Sequence, residues 1–286
     1  MTMRGDDNGT VRAMRQRVSE LVYSSVQIEG IASTFAQTEE ILREGKSKSV
    51  DQESITKILG LKHALEHLFG NYSKPITWDL YASYNALVGE GTVARAGSMR
   101  GPGEVRVGDF IPEPNISVGY FSDLVSTAID TAGSPSEAAS QLFLLMCKAQ
   151  FFMDGNKRSA QMLANHYLAN TDSGRMLLIR EDDRDEVLDL LVDFYAGDIS
   201  LQDAEWDLED IVMVRCEAVE ARVVTSEDDR FNDKATSGPG SYDNHPLAKE
   251  GPRLGKASPL IDEMPGCEPP EPKSPSASRG SRRDAR

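Results

Sequence analysis

The segment Gln150-Phe151-Phe152-Met153-Asp154-Gly155-Asn156-Lys157-Arg158 concentrates residue types that handle phosphate. An apolar run ends there, Gly155 marks a tight turn, and a helical pattern resumes at Asn156. The first N–H groups of a helix have no intrahelical partner and carry the positive end of its dipole. Such an end receives anions. Gly155 lets a phosphate approach the backbone, Lys157 and Arg158 add two cations, and Asp154 offers a carboxylate that suits a Mg²⁺ bridging phosphates. One reading is a nucleotide-phosphate or other anion site. The same residues fit a capped turn equally well, with Asp154 accepting helix N–H bonds and the cations in solvent. The spacing is not the G-x-x-x-x-G-K-[ST] of a Walker A loop.

Other constellations carry less. His63-Ala64-Leu65-Glu66-His67 matches the H-x-x-E-H of inverted zinc peptidases, and on a helix His63 and His67 share a face. Five-residue patterns arise by chance, and two surface histidines on an amphipathic helix explain it more simply. Trp78 and Trp206 fall among apolar neighbours and read as packing residues. The run Glu181-Asp182-Asp183-Arg184-Asp185-Glu186 reads as a charged helix start, and Glu39-Glu40 as a solvated face. His166, ten residues past Asn156, falls about 15 Å along the helix from the turn, too far to serve it.

The elements that must position the loop are mostly helices. Apolar residues recur at helical spacing from about Val11 to Glu29, where Gly30 stops the pattern. Further helices are expected over Asp51 to Phe69, Thr77 to Val88 and Ser117 to Thr131. Between Gly89 and Pro114 lie six glycines and three prolines, and Glu104 to Ile111 reads as a short extended hairpin or flap. Ser134-Pro135-Ser136-Glu137 spells a capping box with Pro at the first helical position. The helix it opens is apolar on every face and so belongs at the centre. Next come a helix from about Asn156 to Asn170, a short strand from Met176 to Ile179, and helices over Glu181 to Tyr195 and Leu201 to Val223.

The 286 residues carry 46 acidic and 31 basic side chains, a formal charge of −15. That balance disfavours a general nucleic-acid binder or an anionic membrane surface. Three scattered cysteines, Cys147, Cys216 and Cys267, make neither a disulfide framework nor a zinc site and fit a reducing compartment. No stretch is apolar enough to span a membrane and no secretory signal is visible, so a cytoplasmic protein is expected. From Val224 to Arg286 the chain holds nine of its fourteen prolines and only two aromatics. It cannot bury enough apolar surface to offset chain entropy and reads as a disordered tail. The expected division is an N-terminal segment over 1–45, a core over 46–204, a closing helix over 205–223 and the tail over 224–286.

With these residues in view, the segment from Phe152 to Ala160 resembles the signature of the Fic (Fido) family, His-x-Phe-x-Asp/Glu-Gly-Asn-Gly/Lys-Arg-x-x-Arg. Two more stretches fit in the family's order. Ser25-Val26-Gln27-Ile28-Glu29-Gly30 looks like its inhibitory motif, and Gly97-Ser98-Met99-Arg100 with Val105, Val107, Phe110 and Pro112 looks like its target-binding flap. The resemblance spans about residues 10 to 200. It implies an all-α Fic fold with a small β-hairpin flap, and transfer of AMP from ATP to a hydroxyl of a target protein. It also implies ATP and Mg²⁺ as ligands, Asp154 holding the metal, and Gly155, Asn156 and the next amides forming the anion hole. Arg158 would meet the distal phosphates. Glu29 would block the γ-phosphate, and Ser25, one turn earlier on the same face, would help hold it.

The sequence departs from that pattern at two positions. The catalytic His falls at Gln150, which does not titrate near neutral pH; losing a general base typically costs about 10²–10⁴ in rate. The last Arg falls at Gln161, so Glu29 must find Lys157 or Arg158 instead, or its inhibition is weaker. The Asn156-Lys157-Arg158 form is similar to the Doc branch, which transfers a phosphoryl group. A protein AMP transferase, a nucleotide-binding pseudoenzyme and a helical adaptor using the flap as a strand-pairing edge all follow as hypotheses. The target protein and self-association into a homodimer stay open.

Overall fold

The structure, a computed structural model, describes residues 8–216. The segment 224–286 read as a disordered tail, and the end of the expected last helix over 217–223, lie outside the described residues.

The central helix is α7 (Pro135–Ala149), with eleven of its fifteen residues buried, which is why its sequence shows no polar face. Ser134 accepts the Glu137 N–H at 3.1 Å, and Pro135 opens the helix. The second half of the expected capping box is displaced: the Glu137 carboxylate takes the N–H of Gly133 at 2.6 Å rather than that of Ser134. Helix α8 (Asn156–Asn170) packs along α7 and is buried nearly all round. Helices α4 (Gln52–Asn71) and α5 (Trp78–Val88) flank α8, and α6 (Val118–Thr131) covers α7. Asp51, Thr77 and Ser117 cap these three helices through their side chains.

The expected helix from Val11 to Glu29 is two helices, α1 (Gly9–Gln16) and α2 (Val18–Glu29). Arg17 leaves helical geometry (φ −118°, ψ 29°), its N–H takes the Met14 carbonyl in a tightened turn, and its guanidinium pairs with Glu20. Asn8 and Thr10 tie α1 to the end of α8 through the Ala169 carbonyl and Asp172. Helix α3 (Phe35–Glu44) is an addition to the expected elements; Thr34 and Gln37 form its reciprocal capping box, and Glu39 is solvated as expected.

After α8 come β1 (Arg175–Leu177), α9 (Arg184–Ala196) and α10 (Leu201–Val212). The helix expected to run from Leu201 to Val223 stops at Val212. Met213 to Arg215 form β2, which pairs antiparallel with β1, Met176 opposite Val214. Trp206 is a second correction. Ala204, Leu208 and Val212 make the buried stripe of α10, and Trp206 stands on the other side, 71% exposed. Trp78 does pack, against Phe121, Phe151 and Phe152.

The flap is extended but minimal. Val105 and Val107 are half-buried and alternate with exposed Glu104 and Arg106. One bridge closes it, with Val107 and Phe110 exchanging N–H···O bonds of 3.1 and 3.0 Å around Gly108. Phe110 stacks on Tyr195 of α9, ring centroids 5.1 Å apart, and this anchors the flap beside the end of α7.

Candidate functional site

The loop joining α7 to α8 has two sides. On the α7 side, Gln150 ends the helix in the left-handed region (φ 49°) and is only 7% exposed. Its Nε2 donates to the Cys147 carbonyl at 2.6 Å, and its Oε1 accepts from Asn156 Nδ2 at 2.9 Å. Asn156 also exchanges two bonds of 2.9 Å with the backbone of Phe152. Both ends of the Gln150 amide are thus engaged inside the turn. The neighbouring titratable groups are Cys147 and Tyr195, and burial pushes the pKa of each far up, so both are neutral at physiological pH.

Arg100 holds this side from the flap. It is 4% exposed, its Nε donates to the Gln150 carbonyl at 2.5 Å, and its Nη2 donates to the Ala149 and Glu113 carbonyls at 3.3 and 2.7 Å. A guanidinium at a helix C-terminus satisfies carbonyls the helix leaves free and complements its dipole. The sequence reading placed Arg100 only as part of the flap. The available signal was a cation in a Gly- and Pro-rich stretch just before the hairpin.

On the α8 side, Gly155 adopts φ +76°, and a Cβ there would meet Asn85 Nδ2 and Val88 Cγ2 at 3.1 Å. Asn85 was missed by sequence. Its Nδ2 donates to the Asp154 carbonyl at 2.8 Å and its Oδ1 accepts the Gly97 N–H at 2.9 Å, so one α5 side chain fixes both loop and flap. Asp154 Oδ1 accepts the N–H of Gly155 at 2.6 Å, and no side chain caps α8. The capped-turn reading required Asp154 to take the amides of the helix itself, and it does not.

Arg158 contradicts the capped-turn reading more strongly, because it is not in solvent. The residue is fully buried. Its Nη1 donates to the Val88 carbonyl at 3.0 Å, while Nε and Nη2 are buried with no hydrogen-bond partner. Nη2 faces two carboxylates, Asp154 Oδ2 at 3.3 Å and Glu29 Oε1 at 3.6 Å, and Lys157 Nζ lies 3.9 Å from Glu29 Oε2. Leaving a charged donor buried and unbonded costs roughly 1–3 kcal/mol or more.

Glu29 is the last residue of α2, and Gly30 closes that helix in the left-handed region. The expected pairing of Glu29 with Lys157 and Arg158 is present. Ser25 does something other than expected: its hydroxyl donates to Gln161 Oε1 at 2.6 Å, not to Glu29. Gln161 Nε2 donates to Ser24 Oγ at 2.6 Å, and Ser24 accepts the Ile179 N–H at 2.7 Å. Gln161 is thus a neutral buried tie between α8 and α2. Gln161, where the resemblance places an Arg, carries no charge to pair with Glu29 and bonds the serines one turn back.

The histidines among the described residues are engaged elsewhere. His63 pairs with Glu90 at 3.2 Å and His67 meets Ser83 at 3.0 Å, and no metal-ligating group among the described residues joins them with Glu66. His166 is buried between the Tyr84 hydroxyl (2.8 Å) and the Lys74 carbonyl (2.9 Å), and burial lowers its pKa. No helix among the described residues is long and apolar enough to cross a membrane.

No family model matches the chain. It is 27% identical over 204 residues to the protein adenylyltransferase Fic of Culex quinquefasciatus, an alignment covering 68% of this chain and 40% of that protein. The chain therefore spans about two fifths of the length of this curated relative. Among solved structures, it is similar to a Fic-domain-containing signaling protein from Bacteroides thetaiotaomicron, with a TM-score of 0.58 at 20% identity, covering 70% of this chain and 83% of that one. It is also similar to Fic-1 from C. elegans, with a TM-score of 0.55 at 22% identity over 71% of this chain and 62% of that one. A Glu-to-Gly variant of the same C. elegans protein gives 0.60 at 21% identity over 79% and 66%. The mostly helical arrangement that places α2, α7, α8 and the flap around one loop is the Fic fold.

Proposed function

We propose that this protein binds ATP and Mg²⁺ at the start of α8 and transfers AMP to a hydroxyl side chain of a target protein, with Glu29 as its inhibitor. The observation that carries the reading is Arg158: fully buried, its Nε and Nη2 without hydrogen-bond partners and its Nη2 held between Asp154 and Glu29, at the start of a helix that no side chain caps. Adenylyl transfer is named in the sequence relative, and that relative supports the choice of reaction.

The loop's donor set fits the metal. Asp154 is half-exposed and keeps Oδ2 free of hydrogen bonds to the turn, with Arg158 as its neighbour. One carboxylate plus substrate phosphates is how Mg²⁺ is commonly held. When bound, the ion would neutralise phosphate charge. In the transfer, the target hydroxyl oxygen bonds to the α-phosphorus and the bond to pyrophosphate breaks. The hydroxyl proton passes to solvent or phosphate, since Gln150 cannot take it. Positioning and charge stabilisation supply most of the catalysis in phosphoryl-type transfers. Val105, Val107 and Phe110 offer the target an extended edge for strand addition.

Glu29 sets a carboxylate 3.6 Å from Arg158 Nη2, so it competes for the same donors as a distal phosphate. A second reading has its own observation: Gln150 is bonded inward at both ends, which suits a nucleotide-sensing pseudoenzyme. Incubating lysate with ATP labelled at the α-phosphate separates the two. The Glu29→Gly variant should label proteins that wild type labels weakly. Labelling equal to a no-enzyme control, in a variant that binds ATP, would leave the pseudoenzyme reading.

A further inference from the structure

Away from the α7–α8 loop, three carboxylates converge where the first turn of α7 meets α10. One oxygen each from Glu137, Glu205 and Glu209 lies within 4.8 Å of the others. Glu205 and Glu209 stand one turn apart on α10 and share a face. Glu205 is 3% exposed. Its Oε2 accepts from Gln141 Nε2 at 2.9 Å, and the Gln141 carbonyl end takes the Thr131 hydroxyl at 3.0 Å, so the amide's donor end is committed to Glu205. The other oxygen, Glu205 Oε1, is buried with no hydrogen-bond partner. Glu137 is held in place by the Gly133 N–H at 2.6 Å.

An unpaired buried carboxylate oxygen is costly by itself, and two more carboxylates beside it add like-charge repulsion. Arg175, on β1, is a basic side chain whose field reaches Glu209, yet Glu205 Oε1 stays unpartnered. A bound cation removes both costs together. We propose that Glu137, Glu205 and Glu209 bind a divalent, oxygen-seeking cation of the Ca²⁺ class, which staples α10 to the start of α7. Ca²⁺ accepts about six to eight oxygens in flexible geometry, so three carboxylates fixed by two separate helices suit it better than the strict octahedron of Mg²⁺, and waters complete its shell. The site is separate from Asp154 and does not depend on nucleotide.

The test uses the full chain, stripped with chelator, with Ca²⁺ alone added and ATP absent. Calorimetry should give one equivalent of Ca²⁺, and Ca²⁺ at about 100 times Kd should raise Tm by about 5–10 °C. Mg²⁺ should bind at least about tenfold more weakly. Glu209→Gln sits at a half-buried position and relieves repulsion, so it should fold as well as the stripped wild type and lose at least about tenfold in Ca²⁺ affinity. No heat and no Tm shift at millimolar Ca²⁺ would overturn the proposal, as would an undiminished response in Glu209→Gln. A melt that moves with pH but not with Ca²⁺ marks a proton shared between the carboxylates, and it too would overturn the cation site.

Discussion

The two sides of the α7–α8 loop are built from adjacent residues and treat their polar groups in opposite ways. On the Gln150 side every polar atom is spent internally: the amide on Cys147 and Asn156, the carbonyl on Arg100. On the Arg158 side, six to eight residues on, Nε is buried with no partner, Nη2 meets Asp154 and Glu29 as ion pairs without a hydrogen bond, and the helix start is uncapped. Folded chains rarely leave such donors unmet, and each instance asks for an explanation. Here the difference separates two capacities. On the proposed reading, the half that would grip an anion keeps donors in reserve, and the half that would move a proton is closed.

The largest effect should come from reopening the closed half. Gln150→His in a Glu29→Gly background restores a titratable group and should raise AMP transfer by about 10²–10⁴-fold. An unchanged rate in a folded, ATP-binding double variant would mean that the Gln150 side is not what limits transfer. Breaking the open half comes next. Arg158→Ala should weaken ATP binding by about 10–150-fold, the loss expected for hydrogen bonds to a charged group, as read by calorimetry. Asn156→Ala cuts the links between the two halves, three buried bonds to Gln150 and Phe152. It should cost about 1–3 kcal/mol in denaturant unfolding, with a loss of ATP affinity besides.

The smallest effect concerns His166, which shares α8 with the loop but bonds Tyr84 and Lys74. Burial lowers the folded pKa of His166, so below about pH 6.5 the unfolded chain binds a proton that the folded one refuses. Stability should be full above that pH and fall by at most about 1.4 kcal/mol per pH unit below it. His166→Asn should flatten this slope, measured as Tm against pH. ATP binding should show no step that follows His166. If transfer in any variant titrates with it, the division between the two halves is wrong.

Much of this arrangement was legible in the sequence because its signals are local. Ser134-Pro135 marked the start of α7, the all-round apolar run marked its burial, and Gly155 marked the turn before α8. What the sequence hid depends on tertiary partners. Asn85 is one polar residue in an ordinary helix until α5 packs beside the loop, where its amide finds Asp154 and Gly97. Arg100 looks like a flap residue until the α7 carbonyls arrive. Met213 to Arg215 lie in a helix-like pattern and are pulled into a strand by pairing with β1. Helix α3 was the avoidable miss, since Thr34, Gln37 and Gly45 spell its caps locally. Helical spacing assigns Ser25 to Glu29, whereas its hydroxyl bonds across the interface to Gln161, a partner that helical spacing along α2 does not reveal.

The central claim is that the α8 side of the loop is a phosphate site which Glu29 occupies. Calorimetric titration of ATP–Mg²⁺ into wild type, Glu29→Gly and Arg158→Ala tests it most directly. Removing a like charge from beside a bound phosphate should tighten binding by about tenfold or more in Glu29→Gly, and Arg158→Ala should bind weakly or not at all. If wild type and Glu29→Gly both fail to bind at millimolar ATP, the buried guanidinium is a structural residue of the fold and the account is contradicted.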